Sequence, residues 1–545
     1  MQVNRLLGAA ALAAALLPWC SSARADDDNS TKKPDAAEKV PPSEATTQST
    51  IDVGNQHIAY TSIAGTITVG ATDADDAQLG MDGKPLAGSQ LAISAPKEAK
   101  DAPPVARMFY VAYFKKDVKA EDRPVTFFYN GGPGSSTVWL HMGSLGPKHV
   151  VTGGDSHLPA APYKMVDNAN SLIDVSDLVF IDAPGTGFGR LIGKDAEKAF
   201  WGVDQDGGAF ARFIARFITK YGRWNSPKFI FGESYGTTRS AVLVKMLGDR
   251  QNIDLNGVIL LSQVFNFTSD IDGANLNPGI DLSYILALPT YAATAWYHKK
   301  VSPQPAALDP FLKEVEDFAV GPYLRALTLG TDLSDAERQS VAEKLHAYTG
   351  LPVAYLLKAN LRVNGGEFEK AFADDLDLTI GRLDTRFTGP SLNPLSESAD
   401  YDPQSAAISS AYVSLFNSYI RKDLKYGEDQ TYFPSADVFG GGSKWDFKHG
   451  DNSMVLNVSN DLADAMKTNP HLKVMLNGGY YDLATPFFAA QYEEKHLPIP
   501  PSLAKNIEYS WYESGHMVYV HDGSLKQLHD RVSDFIKATV ADSKQ

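Results

Sequence analysis

The sequence predicts an α/β fold: a mostly parallel central sheet flanked by helices, with a mainly helical cap insertion. Three observations predict it. Lys228 to Ser240 reads as a buried strand (Phe229-Ile230-Phe231), a tight turn, and a helix periodic from Thr237. The apolar strand Asp177 to Asp182, the helical pattern Ala209 to Lys220 and the Phe229 strand follow one another. That order implies a right-handed crossover onto a parallel sheet. The strand pattern stops after Leu255 to Leu261, yields to helical periods over roughly 268–442, and resumes at Leu472 and at Ile507 to Tyr512.

The elements divide the chain in order. Met1 to Ala25 has a positive start (Arg5), an apolar run from Leu6 to Leu17 and the small-x-small site Ala23-Arg24-Ala25. It reads as an export signal cleaved near Ala25, too short to span a bilayer, so no stable membrane insertion is expected. Residues 26–50 are polar and read as a disordered linker. Residues 51–267 are the first half of the core. It opens with strands at His57 to Thr61, Gly65 to Val69, Arg107 to Phe114 and Pro124 to Tyr129, an antiparallel entry to the sheet. Residues 268–442 are the cap, with helices expected at Tyr284–Tyr297, Ala306–Ala319, Ser334–Thr349, Pro352–Leu361 and Ala406–Leu424. Residues 443–545 are the second half of the core, opening with a helix at Leu456 to Lys467. The 545 residues are 43% hydrophobic, enough for a large core, and their charge of −15 comes with no Lys/Arg block. Nucleic acid is therefore not expected as a partner. Cys20 is the sole cysteine and lies in the leader. A cysteine nucleophile, a thiolate metal site and disulfides are thereby excluded from the mature chain.

The chemistry concentrates after strands. Gly232-Glu233-Ser234-Tyr235-Gly236 is a G-x-S-x-G between strand and helix, the context of a nucleophile elbow. Its glycines allow a turn too tight for neighbouring Cβ atoms, and the helix N-terminus favours negative charge beside Ser234. Asn130-Gly131-Gly132-Pro133-Gly134-Ser135-Ser136 follows another strand and leaves backbone N–H groups open to a ligand, as an oxyanion hole requires. Read alone, each stretch also fits an ordinary turn. Asp482 and His516 each follow a later strand, and the order Ser234…Asp482…His516 is that of α/β-hydrolase triads. Gly185-Thr186-Gly187-Phe188-Gly189 has G-x-G-x-G spacing, not the dinucleotide spacing. Residues 440–444 lack P-loop spacing. No H-E-x-x-H or carboxylate–His cluster suits a metal. No cofactor is expected.

Together the Asn130–Ser136 and Gly232–Gly236 motifs, Asp482 and Gly515-His516-Met517 resemble the serine carboxypeptidase family, peptidase family S10, in a bacterial-type member. The resemblance runs from about Arg107 to the end. It implies an α/β-hydrolase fold that removes C-terminal residues from peptides or proteins with free C-termini, typically in acid. Carried over, Ser234 is the nucleophile, His516 the general base and Asp482 its orienting acid. Gly132 and Tyr235 supply the oxyanion N–H groups, and Asn130 and Glu233 bind the terminal carboxylate. A carboxylate beside a carboxylate repels, so Glu233 must be protonated to serve. Ser144 stands before Leu145-Gly146-Pro147 where the family usually has a second acid, and its hydroxyl could donate at any pH. Ser135 stands where the family has a cysteine. An esterase or acyltransferase on the same triad is the alternative, and a non-enzymatic binding protein a third reading.

Overall fold

The computed structural model describes residues 44–93, 98–440, 444–450 and 455–543. The leader, the linker as far as residue 43 and most of the 440–444 stretch lie outside the described residues. The main strands are β1 (Glu44–Val53), β2 (Gln56–Gly70), β3 (Val105–Lys115), β4 (Val125–Tyr129), β5 (Asp177–Ile181), β6 (Lys228–Glu233), β7 (Gly257–Leu261), β8 (Lys473–Gly479) and β9 (Ile507–Tyr512). They lie in the order β1-β2-β3-β5-β4-β6-β7-β8-β9, with Arg190–Ile192 paired to β3 as the tenth strand of the sheet. From β5 to β9 all neighbours are parallel, while β1, β2, β3 and β5 meet antiparallel.

The parallel centre explains its own sequence. β4, β5, β6 and β7 are buried along their whole length, so they read as continuous apolar runs without alternation. One face packs on α1 (Val203–Lys220), α2 (Tyr235–Gln251) and the helix Ser459–Thr468 through Phe210, Phe213, Leu243 and Leu462. The other carries α4 (Pro403–Lys422) and α5 (Asp522–Asp542) through Tyr412, Phe416, Leu528 and Phe535. A third cluster is built around α3 (Leu282–Tyr297) and includes Tyr481, Leu483 and Phe487 from beyond β8, so the insertion packs onto the second half of the core.

Several expectations need correction. Residues 44–50 are not disordered linker: they form β1, paired antiparallel with β2 from Glu44↔Gly65 to Val53↔Gln56. Glu44 anchors the start, accepting from the hydroxyls of Tyr110 (2.5 Å) and Tyr221 (2.8 Å) and pairing with Lys220. A polar run becomes a strand here because a long neighbouring strand supplies its hydrogen bonds. The two strands expected at 57–61 and 65–69 are one, since Gly65 pairs with both Glu44 and Tyr110 and does not break the ladder. In the insertion, Ser334 caps the helix Asp335–Thr349 in a capping box with Glu337. The helix expected at 352–361 is shorter, Val353–Lys358. Gly365–Ala371 is a further helix, and Leu378–Ile380 pairs with Thr388–Pro390 as a small sheet.

Candidate active site

The site is assembled at the carboxyl ends of β4, β6, β8 and β9, where open parallel sheets place their ligand sites. Ser234 links β6 directly to α2 and has φ +61° and ψ −130°. That conformation is costly for a residue with a Cβ and persists only where the surroundings enforce it. Here the Ser234 amide donates to the Leu261 carbonyl (3.0 Å). A Cβ on Gly232 would stand 2.3 Å from the Gly236 carbonyl oxygen, so the elbow closes only with glycine there.

Asp482 and His516 meet: His516 Nδ1 donates to Asp482 Oδ2 at 2.8 Å, with both residues buried. This leaves Nε2 as the free ring nitrogen. Thr485 holds the carboxylate, its hydroxyl donating to Oδ2 (2.7 Å) and its amide to Oδ1 (3.0 Å). Burial pulls the His516 pKa down. The Asp482 charge and hydrogen bond outweigh that pull and leave it raised, with Glu233 adding to the rise and Arg382 opposing it.

The glycine loop lies over the elbow. A Cβ on Gly131 would stand 2.4 Å from the Tyr235 nitrogen and 2.6 Å from the Gly236 nitrogen, so the loop approaches the first turn of α2 at glycine distance. Gly132 has φ +106°. Tyr235 is the first residue of α2, whose N–H has no partner within the helix. The loop is pinned by Asp182, which accepts from the Thr137 amide (2.7 Å). It is also pinned from the end of the insertion, where the Ser136 amide donates to the Pro434 carbonyl and the Ala436 amide to that of Gly134.

Asn130 and Glu233 also meet. The Asn130 side-chain amide donates to Glu233 Oε1 (2.8 Å) while its own oxygen accepts from the Leu140 amide (3.0 Å). Burial raises the Glu233 pKa to about 7 against the opposing pull of His516, Tyr519 and Asn130. Ser144 does not join them. Its hydroxyl donates to the Leu140 carbonyl one helical turn back (2.6 Å), because a buried serine at a helix end satisfies itself on that carbonyl. Its hydroxyl is thus not directed to Asn130 or Glu233 in this structure. Instead Tyr519 lies beside Glu233 and Asn130, and Tyr412 of the insertion is near Glu233. Neither hydroxyl closes a hydrogen bond of good geometry, and Glu233 Oε2 is likewise without one.

The structure thus brings Asp482 to His516 and Asn130 to Glu233, and lays the Gly132 loop over the elbow. Sequence reasoning missed Thr485, Tyr519, Tyr412 and Ser262, whose hydroxyl donates to the His516 carbonyl (2.7 Å). The Asp-x-x-Thr spacing of 482 and 485 could have shown the first. No local signal marks Tyr412, which arrives from the insertion. Among the described residues no group of His, Cys, Asp and Glu is arranged to hold a metal, and no helix is long and apolar enough to cross a membrane.

The family profile described as serine carboxypeptidase matches residues 100–517. Serine carboxypeptidase ctsa-3.2 of Caenorhabditis elegans is 28% identical over 166 residues, which are 28% of this chain and 30% of that protein. Serine carboxypeptidase-like 36 of Arabidopsis thaliana is 30% identical over 167 residues, 29% of this chain and 32% of its own length. The chain therefore spans about a third of the length of the curated relatives it matches. Among solved structures, Kex1(delta)p, a prohormone-processing carboxypeptidase from Saccharomyces cerevisiae, superposes over 87% of this chain and 91% of its own. The TM-score is 0.50 and the identity 14%, a likeness of fold.

Proposed function

This chain belongs to the serine carboxypeptidase family, and we propose that it is an exported enzyme that removes the C-terminal residue of peptides through a Ser234–His516–Asp482 triad. Ser234 Oγ attacks the last peptide carbonyl and passes its proton to His516 Nε2. The oxyanion that forms takes hydrogen bonds from the N–H groups of Gly132 and Tyr235. Removing one such donor typically costs about 3 kcal/mol of transition-state stabilisation. The C–N bond then breaks, His516 returns the proton to the leaving amino group, and the acyl chain remains on Ser234. Water, deprotonated by His516, hydrolyses that ester and restores the serine. Asp482 holds the imidazole tautomer throughout.

The observation that carries the reading is the Asn130–Glu233 hydrogen bond, made by the residue immediately before the nucleophile. Burial keeps Glu233 protonated up to about pH 7, so it can donate to a substrate carboxylate without repelling it. With Ser144 turned to its own helix, the Tyr519 and Tyr412 hydroxyls stand beside Glu233 where a second acid is missing. The test uses matched peptides, one with a free C-terminus and one amidated, at pH values on either side of Glu233's, with Ser234→Ala as control. Loss of the last residue from the free peptide alone, dependent on Ser234, is the expected result. If both peptides survive while simple esters are cleaved, the triad acts as an esterase or acyltransferase and carboxylate recognition is refuted.

A further inference from the structure

His516 is held by residues that no catalytic motif contains. Its amide donates to the Leu383 carbonyl (2.6 Å). Leu383 belongs to the turn 381–387, between the two short strands of the insertion. The same turn grips the loop that carries Asp482: the Leu483 and Ala484 amides both donate to the Arg382 carbonyl (3.1 Å), and the Thr385 amide donates to that of Tyr481 (3.0 Å). The fit leaves no slack. A Cβ on Gly515 would stand 2.4 Å from Asp384 Cβ and 2.5 Å from the Leu383 oxygen.

At the centre of the turn sit two buried charges, Asp384 at 0% exposure and Arg386 at 7%. Arg386 Nη2 donates to Asp384 Oδ2 (2.6 Å) and Nε to Oδ1 (2.9 Å), a forked pair. The guanidinium has donors left over and spends them on the His516 loop: Nη1 on the Glu513 carbonyl (3.1 Å) and Nη2 on Ser514 Oγ (3.2 Å). It also lies over the Tyr481 ring, 5.2 Å from its centroid. One planar cation thus touches the turn and both catalytic loops, which a lysine ammonium could not do in the same geometry.

We propose that Asp384 and Arg386 are positioning residues for the reaction: their pair fixes the turn whose carbonyls hold the Asp482 and His516 loops in register, and so sets the aim of the imidazole at Ser234. Neither is assigned a contact with substrate or reacting atoms. The proposal rests on the triad reading above. Its physical basis is the steep dependence of catalysis on placement, where a shift of about 1 Å can cost ~100-fold in rate.

The test compares Arg386→Lys and Asp384→Asn in the full chain on a peptide with a free C-terminus. For folded variants kcat falls roughly 10- to 100-fold while KM stays within about twofold, because binding groups are untouched and aim is lost. The pH midpoint of kcat also moves, although the charged groups facing His516, namely Asp482, Glu233 and Arg382, are unchanged. Arg386→Ala should regain part of its kcat with added guanidinium ion. Variants that keep the wild-type kcat and pH midpoint overturn the proposal. So does a loss of activity that matches the unfolded fraction seen by near-UV circular dichroism, with no guanidinium rescue. Ser234→Ala and His516→Ala separate the two readings. Activity retained in those controls sinks the triad itself, whereas inactive controls with an unaffected Arg386→Lys sink only the positioning pair.

Discussion

On the proposed reading, substrate choice turns on Glu233. To bind a C-terminal carboxylate as proposed, its carboxyl must be neutral, and burial holds it so up to about pH 7. KM for free-C-terminus peptides should therefore rise as the pH climbs through that value, while cleavage of ester substrates lacking a carboxylate keeps its KM. Glu233→Gln carries a neutral donor at every pH, so its KM should be flat across the same range. A KM that still climbs in Glu233→Gln assigns the titration elsewhere. At this scale the sequence was readable where chemistry is local. Ser234, Asp482 and His516 each follow a strand, and Asn130 and Glu233 flank recognisable turns. It was unreadable where a residue's role depends on a distant partner. Nothing in Ser144 says that its hydroxyl will return to Leu140, and nothing in Tyr412 says that helix α4 will bring it towards Glu233.

Among elements, β1 shows the limit of composition. Apart from Ala45, its residues Glu44-Ala45-Thr46-Thr47-Gln48-Ser49-Thr50 are polar because β1 is an edge strand with its outward side in water; only Ile51 and Val53 are buried. Hydrophobic pattern cannot distinguish such a strand from a linker, whereas the fully buried β4 to β7 were legible as apolar runs. Removing residues 44–53 would expose the edge of β2 from Gln56 to Gly65. The truncated protein should melt at lower temperature and associate in a concentration-dependent way, measured by calorimetry and light scattering. A truncated chain that stays monomeric with an unchanged melting temperature would show that β1 contributes nothing to closing the edge. In the insertion the capped helix start at Ser334 was legible, whereas the equally capped start at Asn364 was missed because its helix is only seven residues long. The turn 381–387 was not, because it has no periodicity and its partners lie a hundred residues away.

The molecule as a whole carries buried carboxyls whose pKa values burial has raised: Asp270 to about 6, Asp182, Glu233 and Glu493 to about 7, and Glu494 to about 8. Each is protonated more readily folded than unfolded. The stability each contributes is complete below the unfolded value near 4, and is lost as the pH rises through the folded one. His141, buried and neutral down to about 3, works in the opposite sense, losing stability as the pH falls from 6.5. His298, lowered by burial, works in the same sense, and against these two histidines stand the five carboxyls together with Asp206, Glu369 and Asp402, which burial also raises. The urea midpoint should therefore fall between about pH 4.5 and 8. Glu494, with neither oxygen hydrogen-bonded, should account for a visible part of the slope, so Glu494→Gln should flatten it. A midpoint that rises with pH over this range would contradict the sign.

The hydrogen bond from the His516 amide to Leu383 has a consequence for how such a protein can be re-engineered or can diverge. The insertion enters the chain as one segment between β7 and β8, which invites its exchange as a block. Here a turn within it underpins His516, and residues 434–436 at its far end pin the glycine loop. Chimaeras made by swapping the whole segment would inherit foreign support for their own chemistry. Grafts that keep 381–387, α4 and 434–436 native, and vary only the helices before them, leave the Asp482 and His516 loops with the partners they were folded against.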